Sequence, residues 1–361
     1  MTGAGGIAMQ LRLTPQERVT RALLGQETDR IPFTSYENKI EYGRAERELR
    51  NDGLCIVYRK TDFFKLFAPD CIRTVTFREG SGQSERHIRI ETPRGILTGV
   101  ELDRGPNLPW RKKYLFSDEK DYKHLKAYLS DFQFSENYDA IVQKERIGGG
   151  DFFIRGKLGY SPLQDIMLTY MGLERFSFEW ADHREEVLDL YEILWERQRE
   201  QCRVAASAPL LAINICGNVT ASVVSPSLFR QYHLPVYSEM CKILHDGGKL
   251  AGVHFDGITR PYADLIRESE LDYIEALTPP PTCDVSVKEA RELWPDKALW
   301  VNFPSSVHVD SLERIREVTR IILEEARGHN RFLLGITEDV PEDRWEVNLR
   351  AILDEVNGCC R

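Results

Sequence analysis

From residue 151 onward the chain repeats one pattern, a short apolar run followed by a segment of helical period. The runs fall at 152–155, 210–215, 250–253, 273–277, 298–303 and 331–336. The helical segments fall at 163–171, 184–205, 227–245, 260–269, 287–293, 312–326 and 345–356. Strands that are apolar on both faces and alternate with helices make a parallel sheet covered by helices. Two further apolar runs near the N-terminus, 31–36 and 54–58, bring the strands to eight. Eight βα units in 361 residues fit one α/β domain, a (β/α)₈ TIM barrel spanning 1–361. The competing arrangement is an open doubly wound sheet. No G-x-G-x-x-G follows the first strand to support a dinucleotide site in such a sheet.

Two segments stand outside the repeat. Thr14-Pro15-Gln16-Glu17 has the form of a capping box with proline in the first turn, so an N-terminal helical extension precedes the barrel. Residues 72–103 alternate apolar and polar with Gly/Ser turns between, which predicts an antiparallel β-meander inserted into the barrel. Residues 39–51 read as a charged amphipathic helix, and 108–137 as loop and helix. Gly148-Gly149-Gly150 precedes a strand and so reads as a hinge, not a phosphate cradle. Residues 1–10 read as a frayed tail, too short and neutral for a secretory signal. A net charge of −9 argues against a nucleic-acid partner, and no apolar run approaches the length of a membrane span. The eight cysteines form no C-x-x-C pair and read as scattered thiols of a cytoplasmic protein, with Cys359 and Cys360 exposed at the tail.

A barrel of this kind carries its function on the loops after the strands. The first strand delivers Tyr36, Glu37 and Asn38. The next ends deliver Arg155 with Lys157 and Tyr160, then Asn214, Cys216 and Asn218. The fifth strand delivers His254 and Asp256, whose side chains share a face because they are two residues apart. The last three supply Glu275, Asn302 and Glu338 with Asp339. One imidazole and several carboxylates suit a divalent ion such as Zn²⁺, with His254, Asp256, Glu275 and Glu338 as the candidate ligands. The bland alternative makes His254 an interior histidine and lets Glu338 or Asp339 cap the last helix. Arg155 could grip a carboxylate or simply pair with an acid.

The opening Thr14-Pro15-Gln16-Glu17-Arg18, then Asp29-Arg30-Ile31-Pro32-Phe33, resembles the start of the uroporphyrinogen decarboxylase superfamily. So do Val224-Ser225-Pro226-Ser227-Leu228-Phe229, Leu234-Pro235-Val236-Tyr237, Gly247-Gly248-Lys249 and the ending over 332–348. The resemblance implies a (β/α)₈ barrel and one of two chemistries, metal-free decarboxylation or zinc-dependent methyl transfer involving a corrinoid. The decarboxylases carry an Arg-rich motif after the first strand, where this chain has Tyr36-Glu37-Asn38-Lys39-Ile40. The methyltransferases carry H-x-C and a later Cys. His254 matches the His, Asp256 stands at the first Cys and Glu338 near the second, giving a harder oxygen-rich site.

The resemblance therefore implies zinc-dependent methyl transfer between a small methylated donor, a methyl ether for example, and a corrinoid carried by a partner protein. Asp256 and Glu275 would be the catalytic pair, Glu275 being either a fourth ligand or a base behind the ligands. Tyr36, Glu37, Asn38, Arg155, Tyr160, Asn214 and Asn302 would shape the substrate pocket. The meander would serve as lid or docking surface, and a homodimer is a candidate assembly. The rival readings are a metal-free carboxy-lyase that uses Arg155 and Asp256, and a non-catalytic ligand-binding barrel.

Overall fold

The computed structural model describes residues 13–60, 62–79, 84–102 and 110–359. The tail at 1–10, Asp103 and Cys360 lie outside that set, whereas Cys359 is exposed. Eight parallel strands close into a barrel: β1 Phe33–Tyr36, β2 Leu54–Lys60, β3 Phe152–Tyr160, β4 Ala212–Cys216, β5 Leu250–His254, β6 Tyr273–Leu277, β7 Ala298–Asn302 and β8 Phe332–Ile336. Each strand pairs with its chain neighbour, and β8 returns to β1 through Phe33↔Leu334. All eight apolar runs are barrel strands, so the closed barrel replaces the open-sheet alternative.

Alternation along the strands sorts their side chains into two sets. Leu54, Ile56, Ile154, Ile213, Val253, Ile274, Leu299, Val301 and Leu334 face outward into the helical layer. Cys55, Val57, Phe153, Ala212, Tyr273, Ala298, Trp300 and Leu333 face inward. Val19, Ala22 and Leu23 of the N-terminal helix, Pro15–Leu23, close the lower end of that inner core. The helix begins with the expected capping box, Thr14 Oγ1 accepting from Glu17 N and the Glu17 carboxylate accepting from Thr14 N. The interior therefore runs from apolar at the bottom to charged at the top, where Tyr36, Arg155, Asn214, His254, Glu275 and Asn302 continue the inward parity.

The insertion is larger than the sequence indicates. Strands Ile72–Glu79, Ser84–Thr92 and Gly95–Leu102 are present as expected, and Trp110–Lys113 adds a fourth. A second sheet pairs Phe64–Phe67 with Gln133–Glu136. Both added pieces in the 108–137 region are four residues long, too short to show alternation. The sheet buries Ile88, Ile90 and Leu97, with the helix Asp121–Ser130 packed beneath. Three helix expectations also change. The helix sought over 39–51 starts only at Arg44, because Gly43 breaks the chain before it. The segments over 163–171 and 227–245 each contain a π-helical turn, Ile166–Met171 and Phe229–His233. Gly148-Gly149-Gly150 is the end of a helix, with Gly149 at its left-handed cap (φ 58°).

Candidate active site

His254 ends β5 and points into the barrel mouth, half-buried. Its two ring nitrogens face different surroundings. Nδ1 lies 3.2 Å from Glu275 Oε2 and 3.5 Å from the Tyr36 hydroxyl. Nε2 lies 3.4 Å from Glu338 Oε1 and 3.8 Å from Asp256 Oδ2. His254, Asp256 and Glu338 can each offer one ligand atom such that all lie within 4.8 Å of one another. Zinc–nitrogen and zinc–oxygen bonds of roughly 2.0–2.2 Å put tetrahedral ligands about 3.4 Å apart, so the donor set and its spacing fit such an ion. Glu338 is not a helix cap, since the last helix starts only at Trp345, and Asp339 is paired with Lys39 at 2.6 Å.

Glu275 stands behind the imidazole instead of beside Asp256 and Glu338. It is fully buried and saturated. Arg155 Nη2 donates to its Oε1 at 2.5 Å and Asn214 Nδ2 to its Oε2 at 2.6 Å. Burial alone would push this carboxyl up. Arg155 and the His254 hydrogen bond outweigh that and hold it at about 2. The reverse balance raises His254 well above its ordinary value: burial opposes the charge, but Asp256, Glu275 and Glu338 surround it. Asp256 is lowered, burial being overcome by its hydrogen bond to His254. The three surrounding carboxylates thus favour a protonated imidazole, and a cation binding at Nε2 competes with that proton.

The residues expected to shape the pocket divide in two. Arg155 is 2 % exposed, committed to Glu275 and donating to the Tyr36 hydroxyl at 3.0 Å, so it presents no free fork to a ligand. Asn214 spends its amide nitrogen on Glu275. Asn302 is buried and braces the rim, accepting from Thr337 N at 2.9 Å and donating to Thr278 Oγ1 at 3.2 Å. Tyr36 is buried, and burial with Glu275 beside it raises its hydroxyl well above the ordinary range. Glu37 and Asn38 sit at the rim but are held by Arg59, whose guanidinium also lies 3.9 Å over the Tyr36 ring. Tyr160, at the end of β3, is half-buried, its hydroxyl pushed up to about 12 by burial, with Cys216 and Asp256 among the charges that act on it. Arg59 was missed by the sequence reading. The signal was there, for Arg59 continues the inward parity of Cys55 and Val57.

The backbone is unusual at the same place. Among the described residues, two non-glycines have positive φ, Asn218 (55°) and Ala276 (61°). Ala276 follows Glu275 at a register shift between β6 and β7. Asn218 Nδ2 donates to Asp256 Oδ2 at 3.4 Å. Local strain of this kind collects at sites whose geometry is held for a purpose. A cavity of about 610 Å³ opens on the β1–β8 side of the rim, lined by Asn38, Lys39, Glu41, Asp339, Glu342 and Trp345 among others; His254, Asp256, Glu275 and Glu338 do not line it.

No protein-family model and no curated protein sequence matches this chain. Solved structures do. A methyltransferase from Methanosarcina mazei aligns at a TM-score of 0.59 and 13% identity, over 96% of this chain and 99% of that one. What is shared is the fold. A tri-modular GH5 (subfamily 4) endo-β-1,4-glucanase from Bacillus licheniformis gives 0.42 at 10% identity, over 96% and 61% of the two chains. The GH20 catalytic modules of a pneumococcal exo-β-D-N-acetylglucosaminidase give 0.40 at 11%, over 93% and 83%. No helix among the described residues is long and apolar enough to cross a membrane.

Proposed function

We propose that this protein transfers a methyl group between a small methylated compound, such as a methyl ether, and a corrinoid carried by a partner protein. His254, Asp256 and Glu338 would hold a zinc ion, with Glu275 supporting them from behind. The observation that carries the reading is the division of labour on the His254 ring. Nδ1 is engaged by a buried carboxylate, while Nε2 faces two more carboxylates at ligand-to-ligand separations. Carboxylate–imidazole–metal chains of this form fix the tautomer and orient the ligating nitrogen. The fold shared with a methyltransferase from Methanosarcina mazei supports methyl transfer as the reaction class.

When bound, the ion would act as a Lewis acid on the oxygen or nitrogen that leaves as the methyl group departs. The chain's own residues do the rest. Glu275 accepts the Nδ1 hydrogen of His254 and so leaves the Nε2 lone pair toward Asp256 and Glu338. Arg155 and Asn214 keep Glu275 ionised and immobile. Arg59 and Tyr36 wall the mouth on the β1–β2 side. The metal-free lyase reading needs Arg155 free for a substrate carboxylate, and Arg155 is already bonded to Glu275.

The test is metal analysis of protein purified without chelator, followed by methyl transfer from methyl ethers to reduced cobalamin. Zinc near one per chain, lost in His254→Ala together with turnover, is the expected result. Wild-type protein that releases carbon dioxide from an acid with no metal bound would replace this reading with the lyase.

A further inference from the structure

The cations at the barrel mouth are paired, with one exception. Arg155 is bonded to Glu275 at 2.5 Å, Arg59 to Glu37 at 3.2 Å, and Lys39 to Asp339 at 2.6 Å. Lys157 has no hydrogen-bond or ion-pair partner among the described residues. It is half-buried, and it continues along β3 the inward parity of Phe153 and Arg155. Its register partner on β4 is Asn214. From Asn214 the next strand is β5, which ends in His254. Lys157 and His254 are therefore two strands apart, on the order of 10 Å of backbone, with both side chains turned toward one axis. The Cys216 thiol, which burial raises, feels Lys157 first and His254 next among the nearby charges that pull it back down. The floor between them includes Asn214 Oδ1, a buried acceptor without a donor.

An ammonium without an acid partner, turned toward the barrel axis beside the cluster, can take an anion. The local charge count points the same way. A divalent ion held by a neutral imidazole and two carboxylates would be electrically neutral, and Arg155, Arg59 and Lys39 each have an acid, so Lys157 is the cation of this group left without one. We infer that Lys157 anchors an acidic group, a carboxylate or its equivalent, on the methylated substrate. The inference rests on the methyl-transfer reading for the word "methylated" and on this cation without an acid for the word "acidic". The substrate class is a small methylated acid a few bonds long, with the acid at β3 and the methyl-bearing atom at β5 and β8. Neutral methanol-like donors lack the group that Lys157 selects.

Binding separates this from the reaction itself. Methoxyacetate, 3-methoxypropanoate and 4-methoxybenzoate, each against its amide, are titrated calorimetrically into zinc-supplemented wild type, Lys157→Gln and Lys157→Arg. At least one acid is expected to bind wild type about ten-fold or more tighter than its amide, the size of one charge-assisted hydrogen bond. The preference should collapse in Lys157→Gln and recover in part in Lys157→Arg, with unfolding temperatures unchanged. Equal binding of acids and amides to wild type, a preference that survives in Lys157→Gln, or no binding by any acid would each overturn the proposal. An acid preference that depends on Lys157 in a protein that moves no methyl group would keep the anchor and remove the methyl-transfer reading. Transfer from neutral ethers with Lys157→Gln as active as wild type would do the opposite.

Discussion

Glu275 is held under opposing demands of burial and charge. It is a carboxylate with no exposed surface, held at about 2 against burial by Arg155 and His254. Removing one partner of a buried ion pair leaves an uncompensated charge, at a cost of roughly 3–5 kcal/mol. Arg155→Met should therefore destabilise the fold by about that amount in urea titrations at neutral pH. Adding Glu275→Leu to Arg155→Met should recover most of the loss, since apolar replacement of both partners is close to neutral. If the double variant is no better than the single one, the cost lies in packing and not in charge. A milder change isolates the role toward a metal. Glu275→Gln keeps the shape but removes the charge behind the imidazole, and zinc affinity read by chelator competition should fall roughly 10–100-fold. An unchanged affinity would mean that Glu275 serves the barrel alone.

Among the strands, the meeting of β5 and β6 sets how far the barrel can tighten. Gly252 pairs with Tyr273, and a Cβ at residue 252 would lie 2.1 Å from the Tyr273 ring. Gly252→Ala should cost at least about 1–3 kcal/mol through overpacking, and Tyr273→Leu in the same chain should return part of it, as thermal melts would show. This pair also marks what the sequence could reveal. The eight strands were legible because burial on both faces leaves unbroken apolar runs, and Gly252 hid none of that signal. His254, Asp256 and Glu338 were legible as strand-end residues because parity and barrel topology fix where strand ends go. The bond between Arg155 and Glu275 was not, since no local pattern links residues 120 positions apart across a barrel. Nor was the split of the His254 ring, because the same four side chains could close on one nitrogen or on two. The inserted sheets were half-legible. Long alternating strands such as Ser84–Thr92 announced themselves, and the four-residue strand Trp110–Lys113 did not.

For the whole molecule, two histidines away from the mouth each give stability a dependence on acid. His233 is fully buried with Nδ1 2.8 Å from Ser161 Oγ, and burial pushes it down to about 3. His308 is buried beside Asn348, and burial, with Arg344 adding to it, pushes it down to about 4. Both are neutral in the fold, whereas the unfolded chain protonates each near pH 6.5. As pH falls below that point the unfolded state binds protons that the folded state refuses, so stability must fall. Each histidine removes about 1.4 kcal/mol per pH unit, His308 until about pH 4 and His233 until about pH 3. Above pH 6.5 neither contributes any slope. Carboxylates such as Glu275 add their own loss only at lower pH, between its ordinary value near 4.5 and about 2. The test compares urea unfolding of wild type and His233→Gln at pH 7.5, 6.5, 5.5 and 4.5. Whatever His233→Gln costs at pH 7.5, its disadvantage should shrink by roughly 2–3 kcal/mol by pH 4.5, because the variant has no proton to take up on unfolding. A disadvantage that stays constant across that range would mean that His233 takes up its proton inside the fold as readily as in the unfolded chain, with Ser161 Oγ then accepting from an imidazolium.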